Sequence, residues 1–380
     1  LFLNLRRTMR RIIFSVTNDL STDNRVNRSC IVAQNLGFEV LLVGRKLPNS
    51  QDIKRPYTTK RFHLIFKTGV LFYAAFQLRL FFYLLFKRVD LLYSNDLDTL
   101  LPNYLISKLK RTPLIYDSHE LFTEVPELEH SPFKKGIWAF VEKRIVPKLK
   151  HCITVNESIA AIFEKKYGVV FHVIRNVPEQ IIIPKMDPIL AEKIPSNSFK
   201  VIIQGSGLNV DRGIEEAIEA ILLLENVDLL IVGDGDVLPK AKKIVASLSL
   251  EKRVHFFGKR PYQELMAFTQ LADCGLAIDK PSSKNHQFAL PNKVFDYLQA
   301  GTPIICMDLV EIKSLVQQYN IGLVISEVSP THIASAIKTL QHDTSLLSSL
   351  RSNCHKAAEI EHWGNEKPKL EAIMRTIYPE

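Results

Sequence analysis

Apolar and polar positions alternate along the chain in a regular way: short hydrophobic runs of four to eight residues, separated by segments long enough to form helices. In the first half the runs are RIIFSVT (11–17), EVLLVG (39–44), FHLIF (62–66), DLLYS (90–94), PLIYD (113–117), HCITV (151–155) and FHVIRNV (171–177). Each predicts a strand. The intervening NRVNRSCIVAQNLG and ESIAAIFEKKYG read as helices closed by Gly37 and Gly168, where glycine tolerates the left-handed turn that ends a helix. Strands alternating with helices predict parallel α/β structure.

Residues 179–199 carry several prolines and no periodicity, and they predict a linker. A second series of runs follows it: KVIIQG (200–205), DLLIVGDG (228–235), RVHFFG (253–258), CGLAI (274–278), PIICM (303–307) and GLVIS (322–326). The expected organisation is two Rossmann-like domains, at 1–185 and 198–358. A chain of 380 residues suits that division, because single cores stop growing at roughly 250–300 residues. No short internal repeat suggests a solenoid.

Residues 69–86, GVLFYAAFQLRLFFYLLF, approach the length of a membrane span, but Gln77 and Arg79 interrupt them. An arginine in mid-bilayer costs several kcal/mol, about 2.5–3.5 on insertion scales. The segment therefore reads as a helix that does not cross: either buried along one side or lying in a membrane interface. The opening LFLNLRRTM lacks the apolar core of a secretory leader, and Met9 reads as a natural start.

The net charge of +9 is concentrated before residue 180, in Arg6-Arg7, Arg10-Arg11, Lys87-Arg88, Lys108 to Arg111, Lys134-Lys135, Lys143-Arg144, Lys148 and Lys150. Such a surface suits an anionic membrane or a phosphorylated substrate, or is simply solvated. No nucleic-acid motif accompanies it, so no nucleic-acid partner is expected. Five scattered cysteines, without metal-ligand spacing, point to a reducing cytoplasm.

In open parallel sheets, ligands sit beyond the carboxyl ends of the strands. That rule selects Asn18, Asp19 and Arg25 after the first run, Asp96 after the fourth, and His119 and Glu120 after the fifth. Asp96-Leu97-Asp98 spells a metal-binding pattern of some sugar transferases but reads here as a polar strand end, with Asp98 as a helix cap. In the second half the rule selects Gly205-Ser206-Gly207 through Arg212-Gly213, then Gly233-Asp234-Gly235, then Asp279-Lys280, and then Leu290-Pro291-Asn292-Lys293 with Asp296. A glycine loop, a guanidinium and a helix start form an anion site suited to a diphosphate. Lys293 would stand at the phosphate end of a helix running to Gly301, and Asp296, one turn on, could accept hydrogen bonds from a ribose diol. A simple surface pair of these two is the alternative. The third glycine of a dinucleotide fingerprint is missing, which disfavours a nicotinamide cofactor.

The ordered set IYDSHE, ITVNESIAAIF, GSGLNVDRGIEEAI, LLIVGDGD and PNKVFDYLQAGTPII resembles the group 1 (family 4) glycosyltransferases with the GT-B fold, over nearly the whole chain. The resemblance implies two Rossmann-like domains facing each other across a cleft, and a final helix (360–380) crossing back onto the first. It implies a nucleotide-diphosphate sugar held by the second domain and a glycan or polyprenyl-phosphate-linked acceptor held by the first. Transfer would retain the anomeric configuration and need no metal or resident cofactor. His119, Arg212 and Lys293 would act in catalysis; Gly205, Ser206, Gly207, Gly233, Leu290, Pro291, Asn292 and Asp296 would bind the donor; Asn18, Asp19, Arg25, Asp96 and Glu120 would line the acceptor side. Two positions depart from the family pattern: Phe288 stands where a glutamate is usual, and Ser206 near where an arginine is usual. They keep open a non-catalytic nucleotide-sugar-binding or membrane scaffold protein; a nucleotide-sugar 2-epimerase of the same architecture is a further alternative, against which Phe288 counts slightly. A cytoplasmic enzyme of cell-surface polysaccharide synthesis, docking peripherally on the inner face of the membrane, is the expectation that joins the motifs to the basic surface.

Overall fold

The computed structural model describes residues 9–129, 131–195 and 197–378. Arg6, Arg7 and most of the opening segment lie outside them. The described residues up to Asn176, together with those from Glu366 onward, form one compact unit; Val177–Asn365 form the other.

The first unit is built on a seven-stranded parallel sheet. Its strands are β1 (Arg11–Ser15), β2 (Glu39–Lys46), β3 (Thr58–His63), β4 (Leu91–Asn95), β5 (Leu114–Ser118), β6 (His151–Thr154) and β7 (Phe171–Val173), in the order β3-β2-β1-β4-β5-β6-β7. The central strands read as continuous apolar runs because helices cover both faces: β4 and β5 are buried at every position. β3 is an edge strand, TTKRFH, and lies four residues earlier than the apolar run that predicted it. An edge strand buries only part of its length, here Phe62, so its hydrophobic signal is weak.

The second unit repeats the plan with β8 (Phe199–Gly205), β9 (Val227–Gly233), β10 (Val254–Gly258), β11 (Cys274–Ala277), β12 (Ile304–Met307) and β13 (Gly322–Ile325), in the order β10-β9-β8-β11-β12-β13. In both sheets the order reverses direction beside the first strand, β1 or β8. Loops leaving neighbouring strands there diverge to opposite faces and open a crevice at the carboxyl ends. The helix Trp363–Ile377 belongs from Glu366 onward to the first unit: a Glu366 carboxylate oxygen accepts the Arg175 N–H at 2.9 Å, the Tyr378 hydroxyl donates to the Asp90 carbonyl, and the Arg10 guanidinium lies over the Tyr378 ring.

The interrupted apolar segment forms the helix Gly69–Leu85. Phe72, Phe76, Leu80 and Leu84 recur every fourth residue and are buried. Arg79 faces outward, donating to the His63 carbonyl and stacking over the Phe62 ring. Among the described residues no helix is long and apolar enough to cross a membrane.

Candidate functional site

In the second unit β8 ends at Gly205, and the chain passes through Ser206, Gly207 and Arg212 into the helix Ile214–Ile221. The turn at β9 braces this loop. Gly233 has φ +148°, and a Cβ there would lie 1.8 Å from the Gly205 carbonyl oxygen; one at Gly235 would lie 2.1 Å from that of Leu208. These glycines are demanded by the protein's own packing. Gly205 and Gly207 are different, since a Cβ at either would meet nothing closer than 3.5 Å or 3.8 Å respectively. A Cβ would sit in ordinary contact with Leu208 or Asn209, so the protein's own packing does not demand glycine at either position; Gly205 is half-buried and Gly207 exposed. Ser206 between them is exposed.

Arg212 precedes Gly213, whose φ of +74° and contact with Ile278 exclude a larger residue. Arg212 Nη1 donates to Asp279 Oδ2 at 2.8 Å, and Lys293 Nζ donates to Asp279 Oδ1 at 2.9 Å. Asp279 stands two residues past the end of β11 (Cys274–Ala277) and is buried. Burial works against its charge, but Lys293 and Arg212 outweigh burial and hold its carboxyl below the usual range. Two cations from distant segments are thereby fixed on one anion. Glu215 and Glu216 already occupy the first turn of the helix after Gly213, so positive charge at that loop comes from Arg212 more than from the helix dipole.

The helix Asn292–Ala300 begins after Pro291 and closes at Gly301 in the left-handed conformation. Leu290, Pro291 and Lys293 are half-buried there, and Asn292 is exposed. Lys293 and Asp296 do not pair with each other as a surface couple. Asp296 instead accepts from the Tyr262 hydroxyl at 2.8 Å and from Gln204 Nε2 at 3.2 Å, and Gln204 Oε1 in turn accepts from the Thr269 hydroxyl at 2.6 Å. Burial pushes the Asp296 carboxyl up to about 6, and the bonds from Tyr262 and Gln204 offset it only in part. A raised carboxyl pKa means that ionisation costs stability: the penalty is absent below the ordinary value near 3.8 and complete above about 6. Asp296→Asn is therefore expected to gain stability relative to the native protein as pH rises from 4 to 6, then to level off. Thermal unfolding across that range checks this, and a pH-independent difference would contradict it.

In the first unit Asp117 and Asp96 bracket His119. The His119 backbone N–H donates to Asp96 Oδ1 at 2.8 Å, its Nδ1 lies 3.2 Å from Asp96 Oδ2, and its Nε2 lies 3.5 Å from Asp117 Oδ2. Burial opposes the imidazolium charge, but the two carboxylates prevail and raise the pKa to about 9. This contribution to stability is fully present below about 6.5 and lost as pH rises through about 9. The stability difference between the native protein and His119→Gln should shrink across that interval, as measured by denaturant unfolding at several pH values.

Asp96 has φ +57° and ψ 171°, a region that only glycine occupies readily, and its backbone N–H is held by the Asp117 carbonyl at 2.9 Å. The strain aims its carboxylate at His119. Asp98 is not the helix cap: it lies inside the helix Leu97–Lys110, where Asp96 holds the cap position. Thr17 Oγ1 donates to Asp98 Oδ2 at 2.5 Å, while Asp98 Oδ1 is buried without a hydrogen-bond partner, and burial with nearby Asp96 lifts the pKa to about 7.

Arg25 requires a correction. It does not line an open acceptor surface; it is buried, bidentate to Asp117 at 2.7 and 3.1 Å, and donates to the Ile174 carbonyl at 2.8 Å. A strand-end rule locates charged residues but does not tell which of them are used up by each other. Asn18 and Asp19 hold their own loop, Asn18 through Asp23 and the Leu20 N–H, and Asp19 through Ser21 and Ser50. Glu120 is half-buried beside an apolar groove. The strand-end rule selected Asp279 but not its role as the shared partner of both cations. The residues that sequence reasoning missed are Tyr262, Gln204 and Thr269 around Asp296, whose role exists only through that contact.

The sequence profile described as "Glycosyl transferases group 1" matches residues 189–360, and that described as "Glycosyltransferase Family 4" matches residues 30–178. A chitobiosyldiphosphodolichol beta-mannosyltransferase of Candida albicans is 24% identical in an alignment 272 residues long that covers 64% of this chain and 57% of the relative. The match thus spans little more than half the relative's length. Among solved structures, a sucrose-phosphate synthase from Thermosynechococcus elongatus superposes with a TM-score of 0.75 at 16% identity, covering 97% of this chain and 99% of that one. Anabaena HepE, solved in complex with UDP-glucose, gives 0.71 at 18% identity, covering 96% and 99%. At these identities the two structures establish likeness of fold.

Proposed function

Because the chain belongs to the group 1 (family 4) glycosyltransferases and has their two-domain GT-B fold, we propose that it moves a hexosyl or N-acetylhexosaminyl group from a nucleoside-diphosphate sugar to a glycan or lipid-linked acceptor, with retention of configuration. The observation that carries this reading is the pair of cations, Arg212 and Lys293, held on Asp279 within the unit that also carries the Gly205–Gly207 loop, where packing does not demand glycine. As the bond to the sugar breaks, negative charge grows on the diphosphate. Cations already fixed in place stabilise that charge without having to reorganise. Asp279 keeps both ready while no donor is bound, and a diphosphate bearing more charge than one carboxylate would compete for them.

Asp296, with Tyr262 over one oxygen, would take the ribose diol once that hydroxyl yields its place. In the first unit the His119 imidazolium, kept protonated at neutral pH by Asp96 and Asp117, would supply positive charge toward a hydroxyl or developing charge, although its Nε2 is buried and its Nδ1 faces Asp96. The family's chemistry needs no resident metal, and Asp96 and Asp98 are engaged by His119 and Thr17 respectively. The basic first unit and its apolar helix fit an acceptor at the inner membrane face in surface-polysaccharide synthesis.

The test is incubation with a panel of nucleotide sugars, first ranked by thermal shift, because a tight ligand stabilises the folded state by mass action. The name of the Candida relative makes a mannosyl donor the first to try. Sugar transfer, or slow donor hydrolysis when acceptor is absent, supports the proposal, and the anomeric configuration of the product tests retention. Epimerised donor would establish the 2-epimerase instead, and binding without turnover across a broad acceptor panel would establish a binding protein. Asp296→Asn should weaken ribose-containing nucleoside diphosphates more than their 2′,3′-dideoxy analogues; equal losses would make Asp296 purely structural.

A further inference from the structure

The helices Gly69–Leu85, Leu97–Lys110 and Pro132–Ile145 pack together in the first unit. Between them, with the 120–128 segment, lies a groove of about 890 Å³, lined by Tyr73 and Leu78, Leu105, Phe122, Ile137 and Trp138. Its walls are mainly hydrocarbon, with Gln77, Lys134, Glu120 and Glu127 as the polar members. This is the size and character of a site for an apolar ligand.

Its surroundings are as unusual as its lining. On the helix Pro132–Ile145, Phe133, Ile137 and Phe140 are 74%, 40% and 60% exposed, and with Arg144 they fall on one face by their spacing of four, three and four residues. Trp138, Val141 and Ile145 occupy the buried side. Across the groove the helix Gly69–Leu85 exposes Val70 and Leu78, and the helix Leu97–Lys110 exposes Leu105, all three lining it. Single exposed apolar residues are ordinary, but these six on three adjoining helices mark an interaction surface.

The charges name the partner. The Arg144 guanidinium lies 5.1 Å above the Phe140 ring, Lys108 lies 5.3 Å from the Tyr104 ring and Lys87 lies 5.4 Å from the Tyr83 ring. Lys134 and Lys143 flank the exposed face of the Pro132–Ile145 helix. Aromatic rings and aliphatic side chains with cations beside them fit the boundary between headgroups and acyl chains of an anionic bilayer. A protein partner would match the apolar residues but would not call for this excess of positive charge.

We propose that this face docks on an anionic membrane and that the groove takes the hydrocarbon chain of a membrane lipid, in the functional setting the tail of the lipid-linked acceptor. The identification of that lipid with the acceptor rests on the transferase reading; the docking and the groove do not. Gln77 and Arg79 then fall into place: Gln77 lines the groove, Arg79 braces the preceding strand, and the helix has no need to be apolar all round.

The experiment uses vesicles of phosphatidylglycerol and phosphatidylcholine, against pure phosphatidylcholine, at low and high salt. The native protein should float with the anionic vesicles at low salt and be released by high salt. Phe133→Ser/Ile137→Ser/Phe140→Ser should lose at least about tenfold in binding, and Lys134→Glu/Arg144→Glu about the same. Both variants change exposed residues of the first unit, and an unaltered circular dichroism spectrum and thermal unfolding profile would show that they remain folded. Groove entry is read separately. The chain has two tryptophans, so in a Trp363→Phe background Trp138 is the reporter, and phosphatidylglycerol brominated on its acyl chains should quench it. Equal binding by native protein and triple variant overturns the docking face; flotation without quenching overturns the groove; self-association abolished by the triple variant, without lipid binding, would assign the face to a second copy of the chain. If vesicles bind but no nucleotide sugar does, the transferase reading fails and this one stands.

Discussion

Arg25→Ala is expected to lower the unfolding free energy by about 3–5 kcal/mol, the largest stability effect of any single charge removal in the first unit. The guanidinium is buried, and it satisfies both oxygens of Asp117, which is itself buried beneath His119 and Tyr93. Removing it leaves Asp117 with the Tyr93 hydroxyl at 2.9 Å and the more distant His119 as its remaining partners. The carboxyl, now held well below its ordinary pKa by Arg25 and His119 against burial, would move upward. That depressed pKa contributes stability above the ordinary value near 3.8 and loses it as pH falls, so the native protein and the variant should converge in acid. Lys313→Ala is the control. Its pair with Asp308, at 2.7 Å, is largely in water, and its removal should cost no more than about 1 kcal/mol. Denaturant melts of the three proteins decide the matter; similar midpoints for Arg25→Ala and Lys313→Ala would show that the buried pair does not hold the unit together.

Nucleoside-diphosphate affinity should fall by about 10- to 150-fold in both Arg212→Ala and Lys293→Ala, corresponding to a charge-assisted contact of about 1.5–3 kcal/mol each. Loss of either cation also strips one partner from Asp279, whose uncompensated charge would then repel the ligand. The two substitutions should for that reason be non-additive, since they share Asp279. Affinity for the nucleoside without phosphates should change little. Calorimetry with both ligands tests this: unchanged diphosphate affinity in both variants removes the phosphate site from this loop and helix, while equal losses for nucleoside and diphosphate would mean that the site has collapsed.

The strand pattern shows how far local chemistry reaches. Both sheets consist mostly of buried parallel strands, and such strands announce themselves as apolar runs whatever their neighbours, so each of the thirteen was legible in outline. β3 was displaced because an edge strand carries little hydrophobic signal. The helix Asn292–Ala300 was likewise legible, since Pro291 and Gly301 punctuate it by backbone geometry alone. The helix Gly69–Leu85 was legible as a helix but not in its two roles: one stripe packs in the core and another borders the groove, and only the positions of two other helices separate them.

Charged residues are where local reasoning stopped. The sequence by itself determined the parallel two-sheet plan, the strand ends at which polar groups gather, and the motifs that carry the family, because these follow from periodicity and from the preferences of glycine and proline along a local stretch. Only the tertiary structure decided which of those polar groups consume one another. Arg25 looked like Arg212 in the sequence, a cation shortly after a strand; one is buried on Asp117 and the other is partly exposed on Asp279, in the loop that follows Gly205 and Gly207. The physical reason is that the state of an ionisable side chain depends on burial and on charges within a few ångströms, and those neighbours come from segments as far apart as residues 25 and 117, or 204, 262 and 296.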